Sequence, residues 1–272
     1  MVSSSSKTLP QADIGIFGGS GFYSFLSDVE EVHVHTPYGP PSDKIALATL
    51  EGKRVAFLPR HGRDHSVPAH VVNYRANIWA LKELGVREIL APCSCGSLQE
   101  HIKPGDFVIL DQFVDRTRGR RDTFFDGPET HHIGAAEPYC VRMRELAIRT
   151  AQEQAITVHP QGTMLVIQGP RFSTRAESSW FTREGFDVVG MTQYPEAILA
   201  RELGICYTGI ALVTDYDTGI AHGRHVVTLE EVFRVFKENV GKVQSLIHAL
   251  LPHLGGDRPC ECEAEARRAT VG

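Results

Sequence analysis

The densest run of reactive side chains is Pro59-Arg60-His61-Gly62-Arg63-Asp64-His65. Arg60 can fork onto a phosphate through its planar guanidinium, and a protonated His61 adds a donor. His61 and His65 share the i, i+4 spacing of a zinc pair. Gly62 lies between them and the glutamate of an HExxH motif is missing, which argues against a metal there. The plain alternative is a solvated loop. Gly18-Gly19-Ser20-Gly21 follows a short apolar run. Glycines there let backbone N–H groups approach an anion, with Ser20 as the side-chain donor; an ordinary tight turn reads equally well. The run is not a P-loop, because no Gly-Lys-Ser/Thr follows. It is not a dinucleotide fingerprint either, because Ser24 stands at the third glycine position. Thr214-Asp215-Tyr216-Asp217 closes another apolar run. Two carboxylates one residue apart on extended chain point to the same side, and such proximity can raise one pKa and create a general acid. Their other reading is a pair of turn or cap aspartates. In Gly169-Pro170-Arg171-Phe172-Ser173-Thr174, Phe172 is either a stacking surface for a base or a core aromatic. Thr174 and Glu177 fit a capping box that starts a helix.

The cysteines are Cys93, Cys95, Cys140, Cys206, Cys260 and Cys262. Cys93 and Cys95 read as small packing residues, since nothing in the sequence identifies a partner base. Cys260-Glu261-Cys262 lies in a charged C-terminal stretch. It reads as redox-inert or an occasional disulfide rather than structural zinc, because no second Cys pair completes four ligands.

These motifs need elements to hold them. Ile14–Phe17, Arg54–Leu58, Glu88–Ala91, Phe107–Leu110, Thr163–Gln168, Asp187–Met191 and Ile205–Val213 read as strands. Cys93–Ser97 reads as a small-residue turn after its strand. Helical spacing marks Asn73–Leu84, Tyr139–Gln154 and Pro195–Leu203, the last with Pro at its start and Gly204 beyond its end. The clearest helix opens on a Thr228/Glu231 capping box. It carries Leu229, Val232, Phe233, Phe236, Val240, Val243, Ile247 and Leu250 at i, i+3, i+4 steps, and Pro252 ends it. Alternating strands and helices predict an α/β domain with a central mixed sheet flanked by helices. Ligands then bind beyond the carboxyl ends of strands, where Gly18–Gly21, Arg60–His65, Cys93–Ser97, Met191-Thr192 and Thr214–Asp217 fall.

Composition narrows the class. The chain has 272 residues, 42% hydrophobic and 22% charged, with a formal net charge of −5. That balance argues against a general nucleic-acid binder, which shows a basic face. No run of about 18 apolar residues is present, so no membrane span is expected. Residues 1–11 read as a disordered, Ser-rich lead-in without the apolar core of a signal peptide, 12–255 as one domain, and 256–272 as a charged Cys-containing tail. A reducing cytoplasm is the expected compartment.

Taken together, the motifs resemble the 5'-methylthioadenosine phosphorylases, within the trimeric purine nucleoside phosphorylase superfamily. The resemblance runs from about Ile14 to Pro252. It rests on Gly-Gly-Ser-Gly, Pro-Arg-His-Gly, Asn73 to Lys82, Cys95-Gly-Ser-Leu98, Gly-Pro-Arg-Phe-Ser-Thr-Arg-Ala-Glu-Ser, Gly-Met-Thr followed by Pro-Glu, and Thr-Asp-Tyr-Asp. It implies a nucleoside phosphorylase fold and phosphorolysis of methylthioadenosine to adenine and 5-methylthioribose 1-phosphate. Phosphate is then a co-substrate, and no metal or organic cofactor is needed. The resemblance further implies that Ser20, Arg60, His61, Cys93, Ser94 and Thr192 hold phosphate. His65 and Met191 would lie against the sugar, and Phe172 and Ser173 would line the base pocket. Asp215 would be the acid at N7, with Asp217 at the purine amino edge. In the branch that prefers 6-oxopurines, Glu follows the motif's Phe and Asn stands in place of Asp215; Ser173 and Asp215 therefore favour adenine-type bases. Leu229, Val232 and Phe233 would face the 5' substituent, where apolar side chains suit a methylthio group and leave a hydroxyl unsatisfied. Any one of the three reads equally as core, Leu229 included. Small-molecule nucleoside and phosphate are the implied partners and a homotrimer the implied assembly. Cys-bearing tails in thermophilic relatives imply a disulfide near Cys260. The alternatives are phosphorolysis of methylthioinosine or ordinary purine nucleosides (inosine, guanosine, adenosine), a hydrolase using water, and a non-catalytic nucleoside-binding module.

Overall fold

The structure, a computed structural model, describes residues 9–18, 28–218 and 228–270. Ser20 lies outside them. In chain order the strands are β1 (Ile14–Gly18), β2 (Glu30–Val32), β3 (Ile45–Leu50), β4 (Lys53–Pro59), β5 (Glu88–Ser97), β6 (Phe107–Ile109), β7 (Gln112–Arg116), β8 (Val158–His159), β9 (Thr163–Ile167), β10 (Val188–Gly190) and β11 (Cys206–Asp215). The helices are α1 (Tyr74–Glu83), α2 (Val141–Glu153), α3 (Arg175–Arg183), α4 (Gln193–Glu202), α5 (Leu229–Leu250) and α6 (Cys262–Arg268).

The predicted α/β class holds, and the strands form one mixed sheet. Its spine is parallel: β4, β1, β5 and β11 run side by side, and β6 pairs antiparallel with β11. These strands carry near-continuous apolar runs because both faces of the sheet are covered. One face packs α1 and α4 through Ile78, Leu81, Ala197, Leu199 and Ala200. The other packs α2 and the second half of α5 through Met143, Leu146, Ala147, Val243, Leu246, Ile247 and Leu250. Asn73 caps α1, and Thr174 with Glu177 forms the expected capping box of α3.

One element departs from the reading of the sequence. Cys93–Ser97 is not a turn; β5 runs on through it. β11 pairs with β5 in parallel along nearly its whole length, from Cys206 opposite Glu88 to Asp215 opposite Gly96. The opposite edge is divided. β1 pairs only with Glu88–Leu90, and β10 joins antiparallel at Gly96 and Ser97. Between them a stretch of β5 edge has no strand partner among the described residues.

The C-terminal stretch does not hang free. As far as residue 270 it packs on the domain, with Cys262 and Ala266 buried and Arg201 bridging to Glu265 at 2.5 Å. Among the described residues, no helix is long and apolar enough to cross a membrane.

Candidate active site

The open stretch of β5 is one wall of a cavity of about 640 Å³, a size that suits a nucleoside-sized ligand. Arg60, His61, His65, Cys93, Ser94, Phe172, Ser173, Met191, Thr192, Asp215, Asp217, Leu229, Val232 and Phe233 all line it. The fold therefore brings together every predicted site residue within its described part, from segments more than 150 residues apart.

At one end sits the loop after β4. Arg60 is buried, and its Nε and Nη2 donate to both carboxylate oxygens of Glu196, at 2.7 and 2.6 Å. Nη1 reaches the Pro92 carbonyl on the open edge at 3.4 Å. Burial opposes the charge on Arg60, but Glu196 overrides it and holds the guanidinium firmly protonated. Tyr207 Oη also donates to Glu196, at 2.6 Å. This fork leaves Arg60 with N–H donors beyond those engaged by the carboxylate.

His61 differs from expectation. Its Nδ1 lies 2.9 Å from the Val67 carbonyl. Burial, then the neighbouring Arg60 charge, push its pKa down to about 4. At neutral pH it is therefore an uncharged imidazole whose Nδ1–H donates to Val67, leaving Nε2 as an acceptor rather than a cationic donor. His65 lies against it, the two rings tilted by 36° with centroids 4.8 Å apart, and meets Phe233 edge-on at 6.0 Å. It thus links the Arg60 end to the first turns of α5.

Cys93 and Cys95 are inert, as read from sequence. Burial pushes the Cys93 thiol up to about 11 and raises that of Cys95 well above its ordinary value, so neither supplies a thiolate. Thr192 stands at the start of α4 and makes no capping bond with its side chain. The residue lines the cavity.

At the other end, Asp215 and Asp217 converge on Gly96 of β5. A methyl group added at Gly96 would meet Asp215 Oδ1 at 2.9 Å and Asp217 Cβ at 3.3 Å. Both carboxylates are buried, and the Thr214 hydroxyl lies 2.8 Å from Asp215 Oδ2. The pKa of Asp217 is raised. The main cause is burial, with Glu177 as the repelling charge, rather than the Asp215 proximity expected from the sequence; the nearby Ser178 and Ser173 hydroxyls only soften it. Asp217 Oδ2 and Ser173 Oγ are buried without a hydrogen-bond partner of ordinary geometry. Unpaired polar atoms facing a cavity are costly unless a ligand satisfies them.

Phe172 is 37% exposed, so its core reading fails, and so does that of Leu229 at 55%. Phe233 is likewise exposed at the cavity mouth. α5 is thus two things: a core helix over its second half and an apolar cavity wall at its start.

Three contributors carried no usable signal in the sequence. Glu196 sat in a matched motif without a role, and only the fold pairs it with Arg60. Gly96 matters because two carboxylates crowd it. Arg120 donates to the carbonyls of Met191, Tyr194 and Gln168 at 2.8, 2.5 and 2.9 Å, tying the segment after β10 to that after β9. Its position in an arginine-rich run gives no hint of this.

Comparison with known proteins agrees with the geometry. The model of the family described as the phosphorylase superfamily matches residues 13–252. The chain belongs to that superfamily. An S-methyl-5'-thioadenosine phosphorylase from Thermofilum pendens is 50% identical, the match covering 97% of this chain and all of that one. A purine nucleoside phosphorylase from Streptomyces coelicolor is also 50% identical, over 93% of this chain and 94% of that protein. Among solved structures, a methylthioadenosine phosphorylase from Schistosoma mansoni in complex with adenine superimposes with a TM-score of 0.89. It is 37% identical, over 95% of this chain and 97% of that one.

Proposed function

We propose that this member of the superfamily catalyses phosphorolysis of S-methyl-5'-thioadenosine, releasing adenine and 5-methylthioribose 1-phosphate. The observation that carries this is the polarity of one cavity. A buried guanidinium lies at one end, a carboxylate pair at the other, and an apolar turn of α5 at the mouth. N-glycosidic cleavage builds positive charge on the sugar and negative charge on the base, so it needs an anionic nucleophile and a proton donor on opposite sides.

In this reading Arg60, Thr192 and the Cys93-Ser94 backbone hold phosphate, with Ser20 as a further donor, and His61 Nε2 accepts a phosphate hydroxyl. A phosphate oxygen attacks the anomeric carbon as its bond to N9 breaks. The bonding electrons pass to the purine, which takes a proton at N7 from Asp215 and leaves as neutral adenine. Ser173 and Asp217 meet the amino edge and Phe172 the base face. Met191 and His65 lie along the sugar, and Leu229, Val232 and Phe233 receive the methylthio group. The atoms balance with phosphate as co-substrate and no cofactor: the proton released from the phosphate hydroxyl as the ester dianion forms replaces the one Asp215 gave to N7. The working form is a homotrimer in the cytoplasm, and light scattering on the purified protein tests its size.

The Streptomyces relative's name supports a second reading, phosphorolysis of ordinary purine nucleosides. A panel of methylthioadenosine, methylthioinosine, adenosine and inosine, with and without phosphate, separates the two. Strict phosphate dependence with methylthioadenosine preferred is the expected result. Preference for inosine refutes the roles given to Ser173 and Asp215, and turnover without phosphate makes the protein a hydrolase.

A further inference from the structure

Away from the cavity, the sulfur atoms of Cys140, Cys206, Cys260 and Cys262 all lie within 4.8 Å of one another. Cys260-Glu261-Cys262 had lacked a second pair in the sequence. The fold supplies it from two single cysteines 66 residues apart. Cys140 precedes α2 and Cys206 opens β11, and the Cys140 N–H donates to the Tyr207 carbonyl at 3.0 Å, which locks the two segments together. We propose that these four cysteines form a structural zinc site that fastens the C-terminal segment to the domain.

Four sulfurs around a tetrahedral zinc at about 2.3 Å are separated by roughly 3.8 Å, within the spread seen here. All six cysteines are free thiols, and Cys206 and Cys260 lie 3.4 Å apart, well beyond the roughly 2.05 Å of a disulfide bond. Two independent disulfides would not require all four sulfurs to meet at one point, whereas a metal does. The donor set is closed: Cys140, Cys206 and Cys262 are buried and Cys260 is partly so. Arg258 Nη1 approaches Cys206 Sγ at 3.7 Å, an N–H···S contact of the kind that offsets the negative charge of a tetrathiolate centre. α6 has seven residues, too few to persist without tertiary anchors, and Cys262 is its first. β11 carries Cys206 at one end and Asp215 at the other, about 30 Å apart along an extended strand. The metal is therefore a staple rather than part of the chemistry.

The test uses the full chain, untagged and purified under reducing conditions without chelator. Elemental analysis is expected to find about one zinc per chain. Cobalt(II) replacement of that zinc is expected to give the charge-transfer and d–d bands of a tetrahedral tetrathiolate. Cys260→Ser with Cys262→Ser is expected to lose the metal and most of the chelator-induced drop in melting temperature while keeping phosphorolysis at ambient temperature. Should the double variant not fold, the cobalt spectrum of the unaltered chain decides alone. Substoichiometric metal after zinc reconstitution, or an intact mass showing these cysteines paired as disulfides in the reduced preparation, overturns the proposal.

Discussion

Gly96→Ala isolates the carboxylate end of the cavity from the phosphate end. Gly96 does not need the left-handed region, so alanine brings no backbone strain; its effect is the methyl alone. That methyl would lie 2.9 Å from Asp215 Oδ1, 3.2 Å from Val189 Cγ1 and 3.3 Å from Asp217 Cβ, against 3.4 Å or more for ordinary contact. Val189 is a buried strand residue and Asp217 Cβ is fixed to the backbone, so Asp215 must yield by about half an ångström. A displacement of 1 Å in a reacting group can cost on the order of a hundredfold in rate, so about tenfold is expected here. Overpacking costs about 1–3 kcal/mol, which at this size lowers the melting temperature by a few degrees per kcal/mol. The assay is initial-rate adenine release with phosphate varied. We expect kcat to fall about tenfold with the KM for phosphate nearly unchanged, because Arg60 and His61 are not touched. A kcat within twofold of the unaltered protein, or a defect confined to phosphate KM, refutes the view that Gly96 seats the catalytic carboxyl.

Glu196→Gln leaves the Arg60 charge buried and without its counterion, and is expected to destabilise the chain by about 3–5 kcal/mol in thermal unfolding and to cut kcat/KM for phosphate at least tenfold. Gly241→Ala is expected to do the opposite: the position is exposed inside α5 with nothing near an added methyl, so stability rises by about 1 kcal/mol and activity is unchanged. Acid titration of stability should expose His61. Its pKa falls from 6.5 unfolded to about 4 folded, so the unfolded chain binds more protons between those values. Its contribution is complete above about pH 6.5 and up to about 3 kcal/mol is lost as the pH falls towards 4, a slope that His61→Asn should flatten; the raised pKa of Asp217 acts with the opposite sign.

The sheet and its main helices were legible because their signals are local. Apolar runs, capping residues and i, i+4 spacing put β1, β4, α1, α2 and α5 close to their observed bounds. β5 was cut short for an equally local reason. Pro92-Cys-Ser-Cys-Gly has poor strand propensity, and proline normally ends a strand. Here tertiary pairing overrides it: β11 holds the strand in register, and Pro92 falls between the partners of the other edge. The site residues were legible through motifs that resemble a family. The same route could not give the Glu196 fork, the Arg120 clamp or the second pair of the cysteine cluster, since each depends on contacts tens of residues or more apart. Nor could it give the state of His61, because its lowered pKa comes from burial beside Arg60 and no residue type announces that.

The position of the chemistry follows from the sheet itself. β5 is flanked by β11 on one edge, while on the other β1 stops pairing at Leu90 and β10 begins at Gly96. A continuous partner would have satisfied the backbone groups of the intervening stretch and filled the space the cavity now occupies. The change from a parallel neighbour to an antiparallel one makes the gap, and the gap lets Arg60 reach the Pro92 carbonyl across it. Gly96 marks where pairing resumes, and there the absence of a side chain admits the Asp215 and Asp217 carboxylates. The guanidinium and the carboxylate pair are therefore fixed at the two ends of a strand segment that, among the described residues, is paired on one edge only. Their separation is set by backbone geometry rather than by flexible side chains, which is what a reaction with charge developing at two opposed points requires.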